Sequence, residues 1–106
     1  MKYVYIAGPY TRGDPVVNTA DVIKAADMLC SYGYTPFVPH LTLFWHFIRP
    51  HIIDFWYEYD LAWLDKCDCL LRLAGESSGA DKEVEYAIKH NKPVYYSIDE
   101  LIVGEL

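Results

Sequence analysis

The run Lys2-Tyr3-Val4-Tyr5-Ile6-Ala7, which stops at Gly8-Pro9, constrains this chain more than any other feature. It is rich in β-branched and aromatic residues with little polar alternation, the pattern of a short central strand ending in a tight turn. A strand buried on both faces belongs to a parallel sheet with helices above and below it. The remaining segments obey that constraint. Asn18 or Thr19 can cap a helix whose apolar positions Val22, Ile23, Ala26, Leu29 and Cys30 follow helical spacing, and Gly33 supplies a left-handed stop. Tyr34 to Pro39 reads as a second strand, with Pro36 at its start or on a sheet edge. An aromatic stretch from His40 to Tyr59 is divided by Pro50 into two helical pieces, with helical periodicity clear from Phe55 to Lys66. Cys69 to Leu73 is a third strand, the loop Glu76 to Gly79 is polar, Ala80 to His90 is a helix and Pro93 to Ser97 a fourth strand. Residues 1–106 therefore form one α/β domain, a three-layer sandwich on a parallel sheet of four to five strands, Rossmann/flavodoxin-like.

Composition removes several functions. With 53% apolar residues, the 106-residue chain can fill a core without metals or disulfides. Nine Lys and Arg against fifteen Asp and Glu leave a net charge of −6, the wrong sign for a nucleic-acid polymer as partner. The three cysteines, at 30, 67 and 69, are odd in number and no signal-like segment precedes them, so the expected location is cytoplasmic. His46, Arg49, His51 and Asp54 interrupt the longest apolar stretch, and no membrane association is expected. His40, His46, His51 and His90 lack metal-ligand spacing and Cys67-x-Cys69 lacks a second pair, so no metal is expected. Neither G-x-G-x-x-G nor a P-loop occurs, and no cofactor is expected. The aromatics from Phe44 to Tyr59 suit a flat ligand, but core and subunit-contact roles account for most of them more simply. Three tryptophans, ten tyrosines and four phenylalanines exceed what so small a body buries, which points to a homodimer or larger homo-oligomer.

In an open parallel sheet the ligand sits beyond the carboxyl ends of the strands, so the loops Gly8 to Asp14, Pro39 to Thr42 and Ala74 to Gly79 should converge. Gly75-Glu76-Ser77-Ser78-Gly79 matches G-x-S-x-G, but the single downstream histidine, His90, lies at the far end of the next helix and cannot serve Ser77. Glu83 falls near a helix N-terminus that favours its ionised form, as a nucleophile requires. From spacing alone it reads more simply as an ordinary solvated acid behind a cap formed by Ser78 and Asp81. Asp60 shares a helix face with Trp56, Trp63, Leu64 and Cys67, so it is either a desolvated carboxyl that holds a proton near neutrality or a carboxylate satisfied by a cap or tyrosine.

The ordered set Tyr5-Ile6-Ala7-Gly8-Pro9, Asp60-Leu61-Ala62-Trp63-Leu64 with Cys67-Asp68, Ser77-x-Gly79-x-x-x-Glu83-x-x-x-Ala87 and Lys92-Pro93-Val94 resembles the nucleoside 2-deoxyribosyltransferase family, including its 2'-deoxynucleoside 5'-monophosphate N-hydrolase relatives. The resemblance runs from Tyr3 to Tyr96 and leaves 41–56 without a counterpart. It implies cleavage of the N-glycosidic bond of 2'-deoxynucleosides or their 5'-monophosphates through a covalent glycosyl-Glu83 intermediate, with transfer to water or another base. It assigns Asp60 to protonating the departing base and Tyr5 to orienting Glu83, and it gives Gly8, Pro9, Arg12, His40, Ser77, Ser78 and Gly79 to the substrate. Six residues before the nucleophile the nucleoside transferases resemble one another in carrying an acid, and the nucleotide hydrolases carry serine, as here at Ser77. Pro9 and Tyr10 replace the polar residues expected after Gly8 in the hydrolases, with Arg12 as the compensating cation. A non-catalytic nucleotide-sensing module on the same fold is the alternative.

Overall fold

In the computed structural model, which describes residues 2–106, the expected central strand is β1 (Tyr3–Ala7), from which the other elements radiate. After it come α1 (Pro15–Ser31), β2 (Thr35–Phe37), a 3-10 turn (Pro39–Leu41), α2 (Thr42–Ile48) and α3 (Ile53–Lys66). The chain continues through β3 (Cys69–Arg72), α4 (Ser78–Lys89), β4 (Val94–Tyr95) and α5 (Ile98–Gly104). The four strands are all parallel in the order β2-β1-β3-β4, a flavodoxin-like arrangement and the lower of the two strand numbers expected.

Each face of the sheet has its own core. Val4, Ile6, Cys69 and Leu71 point toward α1 and α5, where they meet Val22, Ala26, Leu29 and Leu101. Tyr5, Ala7 and Leu70 point the other way and meet Leu64 of α3 with Ala80 and Ala87 of α4. Successive residues of β1 thus serve opposite layers, which is why the run at 3–7 has no polar alternation. The connection from β1 to β2 runs through α1 on one face, and the connection from β3 to β4 through α4 on the other. The chain therefore changes direction between β1 and β3, where an open parallel sheet forms a crevice.

Several boundaries depart from the sequence reading, each for a local reason. Helix α1 begins at Pro15 rather than after Asn18, because Asp14 caps it by accepting from the amides of Val16 and Val17, and Pro15 lacks the N–H that a first-turn residue would leave unused. Asn18 instead donates its side-chain amide to the carbonyls of Tyr10 and Arg12, which pins the loop after β1. Pro36 does lie on the sheet edge: Thr35 sends its amide to Lys2, so the missing N–H of Pro36 falls on the unpaired side. Ser97 is not strand but the cap of α5, accepting from the Glu100 amide at 3.1 Å, and this short helix seals the core with Leu101.

Leu71 is fully buried in the centre of the sheet. Leu71→Ala should lower unfolding free energy by about 2–5 kcal/mol. Urea denaturation followed by circular dichroism measures this, and a loss under about 1 kcal/mol would contradict a close-packed α1–sheet–α5 layer.

Candidate active site at the crevice

Three loops meet at the carboxyl end of the sheet, and the contacts that join them are specific. His40, in the turn after β2, is buried and holds the Pro9 carbonyl through Nε2 at 2.8 Å. Its ring stands edge-on to Tyr10, with centroids 5.4 Å apart. Gly75, at φ 121°, approaches Pro9 so closely that a Cβ there would lie 2.6 Å from the proline Cγ. Arg12 forms an ion pair with Glu76 at 3.0 Å, with both side chains exposed. The loops after β1, β2 and β3 therefore converge as the sequence required, and Gly8, Pro9, Arg12 and His40 belong to that cluster. Arg12, expected as the compensating cation, has Glu76 as a carboxylate partner.

Burial makes His40 a poor base. It lowers the imidazole pKa, while hydrogen bonding to the Pro9 and Gly8 carbonyls works in the other direction. The ring is therefore neutral near pH 7, donating from Nε2. Its Nδ1 then accepts, and this buried atom has no partner among the described residues.

Across the crevice, the Tyr5 hydroxyl donates to Oε2 of Glu83, a hydrogen bond wholly inside the protein. The sequence reading put Glu83 on a solvent-facing first turn; the structure places it elsewhere. Ser77, not Ser78, is the N-cap, its hydroxyl accepting from the Ala80 amide at 3.1 Å, so α4 starts earlier and Glu83 falls in its second turn. There it is buried, beyond reach of the unpaired first-turn amides. Its pKa is pushed up to about 7 by burial, against the Tyr5 hydrogen bond and the Arg72 charge, which both pull it down. The helix terminus is thus not what tunes this carboxyl.

Asp60, on α3, is partly buried, and its Oδ1 has no hydrogen-bond partner among the described residues. Its pKa is pushed up to about 8, first by desolvation and then by the charge of Glu83. This matches the proton-holding reading of Asp60 and disfavours a carboxylate satisfied by a cap. The Tyr5 phenol is held well above its ordinary pKa by burial and by the charges of Glu83 and Asp60, so it remains a donor. Two carboxyls that feel each other give up their protons as a pair. Both carboxyls are raised, Asp60 further than Glu83.

Ser78 and Gly79 are the exposed first residues of α4, where backbone amides lack intrahelical acceptors. Three further residues were missed in the sequence. Arg72 is buried at the end of β3, where it donates to the carbonyls of Leu73 and Gly75 and pairs with Asp81 at 3.0 Å. An arginine within Cys69-Leu70-Leu71-Arg72-Leu73 was the available signal. The Tyr10 phenol is pushed up by burial and by the charge of Asp60. Tyr57, under the Lys82 ammonium, is raised by burial and by Glu83 and Glu85; nothing in its spacing distinguished it among so many aromatics.

The sequence profile described as Domain of unknown function (DUF7768) matches residues 2–97. The chain belongs to this family. No curated protein matches the sequence. Among solved structures, the domain is similar to a 2-deoxyribosyltransferase from the psychrotolerant bacterium Bacillus psychrosaccharolyticus, with a TM-score of 0.66 and 22% identity over 87% of this chain and 69% of the other. At that identity the likeness extends to the fold, which the DUF7768 domain shares. No helix among its described residues is long and apolar enough to cross a membrane.

Because the folded Asp60 carboxyl titrates near 8 against an ordinary value of 3.8, the native state binds its proton more tightly than the unfolded chain. Its contribution to stability is complete below about pH 4, declines as pH rises, and levels off above about pH 8. Asp60→Asn cannot ionise, so its melting temperature relative to wild type should climb between pH 5 and pH 9. Scanning calorimetry at a series of pH values tests this; a difference independent of pH would mean that Asp60 is not desolvated.

Proposed function

We propose that this protein cleaves the N-glycosidic bond of 2'-deoxynucleosides or their 5'-monophosphates, with Glu83 as nucleophile. The observation that carries the reading is the buried Glu83 carboxyl, oriented by the Tyr5 hydroxyl, with the partly buried Asp60 carboxyl, pushed up to about 8 by desolvation and by the charge of Glu83, close enough to feel it. An Oε atom of Glu83 attacks the anomeric carbon, and the carbon–nitrogen bond breaks with its electron pair passing to the base. Asp60 delivers its proton to that base. Water or a second base then attacks the same carbon, releases Glu83 as a carboxylate and returns a proton to Asp60. Two carboxyls with separated protonation states are what this retaining chemistry needs. The similarity of fold to a 2-deoxyribosyltransferase supports the choice of substrate class.

In this reading the 5' end of the substrate faces the start of α4. The Ser77 hydroxyl and the amides of Ser78 and Gly79 favour a phosphate there, and the net charge of −6 makes such a local trap necessary. The 5'-monophosphate is therefore the preferred form.

Chromatography of free base after incubation with deoxynucleosides and their monophosphates tests the activity. Glu83→Gln should lose at least about three orders of magnitude in rate, and full activity would exclude the covalent mechanism. The pH profile of kcat/KM should peak between the two carboxyl values of about 7 and about 8. Asp60→Asn should remove the alkaline limb and slow substrates with poor leaving bases most; a uniform loss would contradict its role as acid.

Aspartate caps helices as well as serine does, so Ser77→Asp should keep the fold. It should nevertheless lower kcat/KM for monophosphates by about ten-fold or more relative to free nucleosides. An unchanged ratio would remove the phosphate from this end of the site.

A further inference from the structure

The aromatic stretch that the resemblance left without a counterpart forms a wedge with two faces of opposite character. The inner face of α2 packs on α3: Trp45 stands edge-on to Trp56 and Tyr59, with centroids at 5.2 and 5.5 Å, and the Trp56 indole donates to Nδ1 of His46 at 2.7 Å. The outer face packs on nothing. Leu41, Phe44, Phe47 and Ile48 recur at helical spacing, followed by Ile52 and Ile53 after Pro50, and each is between 59% and 83% exposed. Six large apolar side chains so exposed present on the order of 800 Å² of surface, beyond what a monomer usually shows in one patch and about one side of a standard protein interface.

We propose that this face is the contact surface for a second copy of the chain, which docks α2 against α2 about a two-fold axis. Charge selects the occupant. The protein carries −6, yet residues 41–53 contain no carboxylate and only Arg49 as a fixed charge. Two copies meeting here bring together part of the longest acid-free run, 28–53, and keep their acidic surfaces apart. An anionic lipid surface would repel the same molecule. A self-complementary apolar patch on a short rigid helix also closes at two subunits, because both copies use the same residues.

The surface is continuous with the crevice. The 3-10 turn that holds His40 leads directly into α2, and α3 carries Asp60 one turn beyond Trp56. A partner on this face therefore stands at the rim of the candidate site, which couples assembly to the placement of His40 and Asp60.

Light scattering of the full-length protein at micromolar concentration should give twice 12.3 kDa. Phe47→Asp should weaken association by about 30-fold or more, with an unchanged circular dichroism spectrum because the side chain packs on nothing, while Phe47→Leu should remain dimeric. Hydrogen exchange on the wild type does not depend on any variant folding, and the amides of 44–48 should slow as concentration rises. A monomer at all concentrations, a dimer unaffected by Phe47→Asp, or a monomer that sediments with anionic vesicles would each overturn the proposal. These measurements need no substrate, so their failure is separate from failure of the proposed activity.

Discussion

The hydrogen bond from Tyr5 to Glu83 is the constraint on which the site depends. Tyr5 is fully buried in the central strand, and α4, packed on the same face of the sheet through Ala80 and Ala87, brings Glu83 to its hydroxyl. The same geometry desolvates Glu83, and its charge in turn adds to the burial that keeps Asp60 protonated. Removing a charged partner from such an arrangement leaves the other groups uncompensated, which ties the electrostatics of the crevice to packing of the layer beneath. Arg72 opposes the trend from the side. Its guanidinium fixes the loop after β3 and, after the Tyr5 hydrogen bond, draws the pKa of Glu83 down against the effect of burial.

Much of this architecture was legible in the residues because single elements carry unmistakable patterns. The runs 2–7 and 69–73 read as strands and are strands over 3–7 and 69–72, Pro50 did divide the aromatic stretch, and the three loops expected to converge beyond a parallel sheet do so. What was hidden lay at helix starts. Asp14 and Ser77 each cap several residues before the first apolar position, so periodicity alone placed α1 and α4 too late. That shift matters for Glu83, because starting α4 two residues earlier moves it from the first turn into the second. Asp60 was legible because its neighbours on the helix face are apolar. The burial of Glu83 was not, since Glu85 and Asp81 on the same helix are exposed and nothing in composition separates the three.

The segment 41–56 shows why composition and location must be read together. Its aromatics count as hydrophobic in any tally, yet those facing α3 form an internal cluster around Trp56 while those facing outward are bare. Proline at 50 sets this division by turning the chain back, so that α3 covers only one side of α2.

The sheet edges have a consequence of their own. At β2 the free side meets Pro36, which has no N–H to offer, and at β4 only two residues are in strand conformation. A foreign strand arriving at either margin would find too few main-chain partners to extend the ladder, so the sheet ends at four. The molecule is thereby protected from growth by strand addition, the route by which small parallel sheets polymerise, and any assembly it forms must be built from side chains.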